Sequence, residues 1–384
     1  MRKLVFTSIM LLSSLLAARA QSLDEMNLQF HGYVTQGFVY STNNNWNTTD
    51  STSGSPAWSE AVVSITSQPS PKLRVGAQAR YYLLGQYGNQ ITLDWASADY
   101  TVNNKFAVRA GKVKSPTGLL NEIQDVDPAF IWSLLPGSIY PIASRTSVLA
   151  HYGAVGYGTL SPSKDFGKLE YRIWGGERVM PADDGFFAPM RASGVVFPNG
   201  LNGPAMGAEL NWKPRIDGLM LGAALDREDP TGAVTISAAG LSGNNLSSPF
   251  VIPHYYGQYE HNKVMLAGEY SRVIAIHKTQ LTGVPLSTSR IDQGQFYVMS
   301  SYKLTQKLTP GAYYSYYLDK QAAMNSSRYE KDWVISARYD FNSTLYLKAE
   351  EHFTQGTAYG FLSTDNTNLQ PNSKLTVLKF GASF

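Results

Sequence analysis

Apolar and polar residues alternate with a period of two along most of this chain. Between Lys72 and Leu83 one face carries Leu73, Val75, Ala77, Ala79, Tyr81 and Leu83; the other carries Lys72, Arg74, Gly76, Gln78, Arg80 and Tyr82. Successive strand side chains point to opposite faces, so the pattern predicts a strand with one apolar and one polar surface. The same reading marks strands at 27–40, 58–68, 72–84, 90–101, 105–113, 148–160, 168–178, 204–213, 218–227, 250–260, 263–277, 291–303, 309–319, 330–340, 343–355 and 373–384, sixteen in all. The connections alternate in length. Pro69–Pro71, Asn103-Asn104, 161–167, 214–217, His261-Asn262, 304–308 and Phe341-Asn342 are turn-like. Those between them are mostly long and polar or glycine-rich, near 41–57, 114–147, 179–203, 228–249, 278–290, 320–329 and 356–372, with 85–89 the exception.

After Gln21 no run of eighteen apolar residues occurs, which excludes helical membrane spans. An even number of alternating strands, with short turns on one side and long loops on the other, is the pattern of a transmembrane antiparallel β-barrel. Closure follows from physics, because hydrocarbon cannot hydrogen-bond the open edge of a sheet. Trp58, Trp95, Trp174, Tyr270 and Trp333 towards the loop ends, and Tyr100, Phe106, Trp212, Tyr259, Tyr302 and Tyr339 towards the turn ends, are expected to form interfacial girdles. The last strand alternates through Leu378, Phe380 and Ala382 to a terminal Phe384, which resembles the aromatic C-terminal signal read by the outer-membrane assembly machinery.

Composition agrees with a solvent that is partly not water. Of the 384 residues 43% are hydrophobic and only 16% charged, while aromatics reach 12% with 24 tyrosines; soluble proteins average about 25% charged. With no cysteine, disulfides, thiolate metal sites and a cysteine nucleophile are excluded. Residues 1–20 read as a cleavable export signal: Arg2 and Lys3, the apolar stretch Leu4 to Leu16, then Ala18-Arg19-Ala20. Residues 21–384 then form a single barrel domain. Cleavage removes three bases and no acid, leaving 29 bases against 29 acids. A neutral mature chain gives no electrostatic reason to bind nucleic acid.

With the apolar face of each strand turned to lipid, the lumen receives Glu60, Arg74, Arg80, Asp94, Arg109, Glu170, Arg172, Glu209, Asp226, Glu269, Arg338, Lys348 and Glu350. Six bases among seven acids argue for passage of small polar or weakly charged solutes rather than strong anion selection. Lys112 and Lys114 fall on the lipid parity, so either they lie at the rim or a bulge at Gly111 turns them inward. The longest connection, 114–147, has 34 residues and is rich in apolar side chains, among them Leu119, Leu120, Phe130, Ile131, Trp132, Leu134 and Leu135. Such a surface must be buried. This third extracellular loop is therefore expected to fold into the lumen, with packing against a neighbouring subunit as the alternative. Folded inward, its Glu122, Asp125 and Asp127 would face Arg74, Arg80 and Arg109, with Arg172 from the next strand pair, across a constriction. A further reading, compatible with the inward fold, has the three acids capping a short loop helix that begins near Asp125 or Asp127-Pro128.

Enzyme signatures are missing: the six histidines are scattered, with no HExxH, no pair at metal-ligand spacing and no GxSxG elbow. Neither metal nor cofactor is expected. The stretch Arg109-Ala-Gly-Lys-Val-Lys-Ser-Pro-Thr-Gly118, followed by Asn121-Glu122 and Asp125-Val-Asp127, resembles the RxGRxKxPxG…NE segment of Gram-negative porins related to the phosphate-selective porins O and P. That resemblance implies a sixteen-stranded, homotrimeric diffusion channel for small hydrophilic solutes and ions in the outer membrane. The mixed lumen departs from the arginine ladder of the phosphate-selective members. A structural or adhesive barrel with a closed lumen is the alternative.

Overall fold

The structure, a computed structural model, describes residues 27–163 and 165–384. The proposed export signal lies outside the described residues. Nineteen strands follow one another among the described residues: β1 (Gln29–Ser41), β2 (Ser55–Ser70), β3 (Leu73–Leu84), β4 (Tyr87–Asn103), β5 (Phe106–Lys114), β6 (Ala150–Leu160), β7 (Lys168–Met180), β8 (Val195–Val196), β9 (Leu201–Lys213), β10 (Leu219–Glu228), β11 (Gly232–Ile236), β12 (Leu241–Leu246), β13 (Phe250–His261), β14 (Val264–Leu281), β15 (Ser287–Tyr302), β16 (Leu308–Asp319), β17 (Tyr329–Asp340), β18 (Leu345–Gly356) and β19 (Asn372–Ser383). Sixteen make the wall. The short β8, β11 and β12 stand above the rim, where β11 pairs with β8 and β12 and extends the sheet into the long connections.

Every wall strand pairs antiparallel with the next wall strand in the chain, and β19 closes on β1 from Tyr33 opposite Ser383 to Ser41 opposite Leu375. Among the described residues no wall strand is left with an open edge to hydrocarbon. Phe384 completes the seam, exchanging backbone hydrogen bonds of 3.1 and 3.0 Å with Gly32.

Most outward positions are apolar and exposed, as with Ile91, Ile173, Ile335 and Phe380; inward ones are polar or packed. Trp333, Tyr270, Tyr100, Phe106, Trp212, Tyr302 and Tyr339 lie on the outer surface. Trp58, Trp95 and Trp174, expected in the girdle, do not. Trp58 shares the inner face of β2 with Glu60, and its ring lies 4.6 Å below the Lys379 ammonium. Trp174 shares the inner face of β7 with Arg172 and packs 4.5 Å from the His151 ring. For Trp95 the cause is a β-bulge: Gln78 pairs with Trp95 but Ala79 with Leu93, so Asp94 is an extra residue and Trp95 keeps the inward parity of Gln78.

Candidate functional site

The segment between β5 and β6, residues 115–149, has almost no regular structure, and its bonds reach around the wall. Asn121 Nδ2 donates to Ser115 O at 2.8 Å, pinning the first turn. The carboxylate of Asp125 accepts from Lys114 Nζ at 2.7 Å and from Gln78 Nε2 of β3 at 2.8 Å, while its carbonyl accepts from the Tyr33 hydroxyl of β1. Asp127 lies between Lys348 of β18, at 3.0 Å, and Lys379 of β19, at 2.5 Å. Burial alone would raise this carboxyl, but the two lysines hold it well below the usual carboxylate range. Further along, Ser133 N donates to Glu350 at 2.5 Å and Ser138 bonds Ser315 of β16. The Tyr140 hydroxyl donates to Glu269 of β14 at 2.6 Å. Arg145, in the helical turn Arg145–Val148, spans Glu60 and Asp94, each at 2.5 Å.

Apolar packing follows the same course. Leu120, Trp132 and Tyr140 are buried against Tyr297, Met299, Tyr313 and Val334 on the inner face of β15 to β17, with Trp132 edge-on to Tyr313 at 5.2 Å. The aliphatic surface that the sequence required to be buried lies against inward-facing side chains of the chain's own wall.

The seven residues expected at the constriction separate into groups. Arg109, Glu122 and Arg172 come together: Glu122 lies 3.4 Å from each arginine, Arg109 also reaches Asp99 at 2.9 Å, and Arg172 pairs with Glu209. Their side chains are 27–29% exposed and so touch open lumen. Arg80, Asp125 and Asp127 do not. Arg80 is 2% exposed and pairs with Glu60 at 2.6 Å, and both aspartates are enclosed between loop and wall. Expected to face the passage, they lie instead in the seam that fixes the segment, each buried against a partner of opposite charge. Arg74 keeps inward parity but sits exposed near the turn end of β3, three alternations below Arg80. The acids build no regular capped helix; Asp127 opens a single 3-10 turn, Asp127–Ala129, without a side-chain cap.

The two lysines whose parity the sequence left open part company. Lys114, at the end of β5, reaches into the seam towards Asp125. Lys112 stays on the outer face beside Tyr152 and donates to Leu93 O, a carbonyl beyond the last β4–β5 pair at Ala96 and Lys112.

Lys379 and Arg145 escape a reading of the sequence. Lys379 alternates with the outward Leu378 and Phe380, so parity could have found it; Arg145 lies in a segment without a period, where nothing could. Two histidines escape it too: His254 Nδ1 lies 2.8 Å from Glu269, and His352 bridges Asp332 at 2.8 Å and Glu350 at 3.3 Å. Above the segment a cavity of about 720 Å³ is lined by side chains that include Asp226, His254, Tyr313, Tyr317 and Phe186. Among the described residues no group of three His, Asp or Glu side chains is arranged to hold a metal ion.

No family model matches the chain, and no curated protein sequence does. Solved structures do. The anion-selective porin from Comamonas acidovorans superimposes with a TM-score of 0.58 at 11% identity, covering 93% of this chain and 99% of that one. The outer membrane channel DcaP of Acinetobacter baumannii gives 0.55 at 11%, covering 93% and 97%. The trimer form of OmpT, an outer membrane protein of Vibrio cholerae, gives 0.55 at 13%, covering 93% and 99%. At such identities the likeness is one of fold: a closed, sixteen-stranded barrel of the Gram-negative outer-membrane type.

Proposed function

We propose that this barrel is an outer-membrane diffusion channel for small polar solutes and ions, narrowed by residues 115–149. One observation carries the reading: Glu122, on that segment, faces Arg109 and Arg172 of the wall at 3.4 Å, with all three partly open to the lumen. Opposed charges across a narrow opening set up a transverse field, which favours dipolar solutes over apolar ones. The chemistry is passive, and the chain acts as no enzyme. Of the similar solved structures one is an anion-selective porin and another an outer membrane channel. The trimer form of a third supports a homotrimer here. Kinship with the phosphate-selective porins O and P rests on the Arg109–Gly118 and Asn121-Glu122 stretch alone.

The reach of 115–149 around the wall favours a second reading, a structural or adhesive barrel whose lumen is shut. Planar-bilayer conductance decides. Discrete single-channel steps that grow when residues 119–140 are removed support the constricted channel. No current from folded wild-type protein favours the shut barrel, and unchanged steps after the deletion would place the segment outside the conducting path.

A further inference from the structure

The cavity on the loop side of residues 115–149 combines acidic and apolar surface in a way that diffusion of small ions does not require. Its volume of about 720 Å³ suits an organic molecule, since sites for such ligands span ~300–1,000 Å³. Among the described residues Asp226, Glu228, Glu330 and Asp332 line it against one arginine, Arg178. That arginine is already engaged by Glu228 at 2.5 Å and by the carbonyls of Val148 and Ala150. His254 and His352 each touch a second acid, Glu269 and Glu350, so protonating both would not offset the excess. Asp226 and Asn245, 3% and 2% exposed, also line the cavity, and each keeps one side-chain oxygen that accepts no hydrogen bond among the described residues. Buried polar atoms ordinarily find partners, so what this cavity lacks is donors and positive charge.

One corner sets its acids against aromatic rings. Glu330 follows the inward parity of Asp332 and Val334 on β17 and stands opposite Tyr317 of β16. Its carboxylate accepts from Tyr359 N at 2.8 Å, and among the described residues no base pairs with it. The rings of Tyr317 and Tyr359 meet edge-on, 4.6 Å apart. Next to Tyr359, the bare Gly360 admits Trp46, whose Nε1 lies 2.5 Å from where a Cβ would stand. Trp46 packs with Leu134, Phe361 and Leu362 into an apolar shelf bordering the same cavity. Aromatic rings attract cations, and a carboxylate makes its strongest hydrogen bonds to a charged donor.

We infer that Glu330 and Asp332, with the rings of Tyr317 and Tyr359 and the Trp46–Phe361 shelf, form a binding site for an organic amine, a protonated amino group carried on an apolar or aromatic body. The ammonium lies between Glu330 and the tyrosines, and the body lies on the shelf. The inference deepens the channel reading by naming a solute class, and it rests on that reading for passage but not for binding.

Folded protein in detergent is titrated at neutral pH with benzylamine, benzyl alcohol and methylamine, and binding is followed by ligand-observed NMR. Attraction of the cation to carboxylate and rings should make benzylamine bind about tenfold tighter than benzyl alcohol, and burial of its ring about tenfold tighter than methylamine. Glu330→Gln, which keeps an acceptor for the Tyr359 N–H, should lose most of the preference for amine over alcohol. Tyr317→Leu should weaken benzylamine several-fold. Equal binding of amine and alcohol by the wild type overturns the proposal whatever the variants do. A folded Glu330→Gln protein that keeps the full preference, or methylamine bound as tightly as benzylamine, overturns it as well. Current is read separately in a planar bilayer. A barrel that prefers the amine but never conducts upholds this site and overturns the channel alone, whereas discrete steps without any preference for the amine do the reverse.

Discussion

The carboxylate of Asp127 lies 2.5 Å from the ammonium of Lys379, a residue 252 positions away on the strand that closes the barrel. Lys348 completes the group at 3.0 Å and is fully enclosed, so three charges share a site without bulk water. Removing one member of such a group leaves an uncompensated buried charge, at a cost of ~3–5 kcal/mol. Asp127→Asn should therefore loosen residues 115–149 and lower the temperature at which the folded, fast-migrating band on a gel is lost. Asp127→Leu combined with Lys348→Met and Lys379→Met should recover much of that loss. An Asp127→Asn protein as heat-resistant as the wild type would show that the group carries no stability.

Packing can be probed without touching charge. Gly311 of β16 faces the segment so closely that a Cβ there would stand 2.5 Å from Ile131 Cδ1 and 2.7 Å from Trp132 Cη2. Overpacking of this kind costs ~1–3 kcal/mol and is relieved by moving the less anchored partner. Gly311→Val should shift the segment while the barrel persists, raising protease cleavage within 125–140 and altering single-channel conductance. Unchanged cleavage and conductance would mean that the contact is not tight.

How much of this is legible in the sequence follows from what has a period. Strands do, and because successive residues face opposite sides, parity alone turns Glu60, Arg109, Arg172, Lys348 and Glu350 inward, where the structure has them. It fails at Trp95, where the extra residue Asp94 shifts the count. Trp58 and Trp174 go astray for a different reason: a general preference of tryptophan for interfaces competes with the parity of Glu60 and Arg172 on the same strands, and parity wins. Residues 115–149 have no period. Their apolar content announces burial, but the pairing of Asp127 with Lys348 and Lys379, and of Arg145 with Glu60 and Asp94, depends on a path that composition does not encode.

Asp184, in the connection between β7 and β9, gives a pH-dependent handle outside the membrane-spanning strands. Burial pushes its carboxyl up to about 6, against the opposing pull of the Phe186 N–H at 2.8 Å, whose hydrogen bond it accepts as a cap. A carboxyl with its folded value raised favours the neutral form. Its contribution to local stability is full below about pH 4, near the ordinary aspartate value, and is lost as pH rises from there through about 6. Hydrogen exchange over the turn Gly185–Ala192, corrected for intrinsic rate, should show protection falling between about pH 4 and 7. Asp184→Asn should flatten that dependence; a slope that survives the substitution would assign it to another group.

Phe384 seals the seam through its exchange with Gly32, yet its side chain is largely exposed. We propose that this exposed aromatic meets the assembly machinery before closure and the headgroup layer after it. Deleting Phe384 should reduce the amount of folded protein reaching the cell surface several-fold. Phe384→Tyr, which keeps the ring, should restore most of it. Normal surface levels of the truncated chain would remove the role.

The charge that sets ion preference should be Glu122 rather than Asp125 or Asp127. All three are acids of the same segment, but only Glu122 borders open lumen, between Arg109 and Arg172. The carboxylates of Asp125 and Asp127 are buried and neutralised at close range by Lys114, Lys348 and Lys379. A unit charge acting over about 5 Å of water is worth ~0.8 kcal/mol, roughly a fourfold change in relative permeability. Glu122→Gln should move the reversal potential in a salt gradient towards anions by about that factor, since Arg109 and Arg172 then lose the charge that offsets them. Asp125→Asn should leave the potential nearly unchanged while weakening the hold of Lys114 and Gln78 on the segment. A larger shift from Asp125→Asn than from Glu122→Gln would mean that the conducting path runs through the seam.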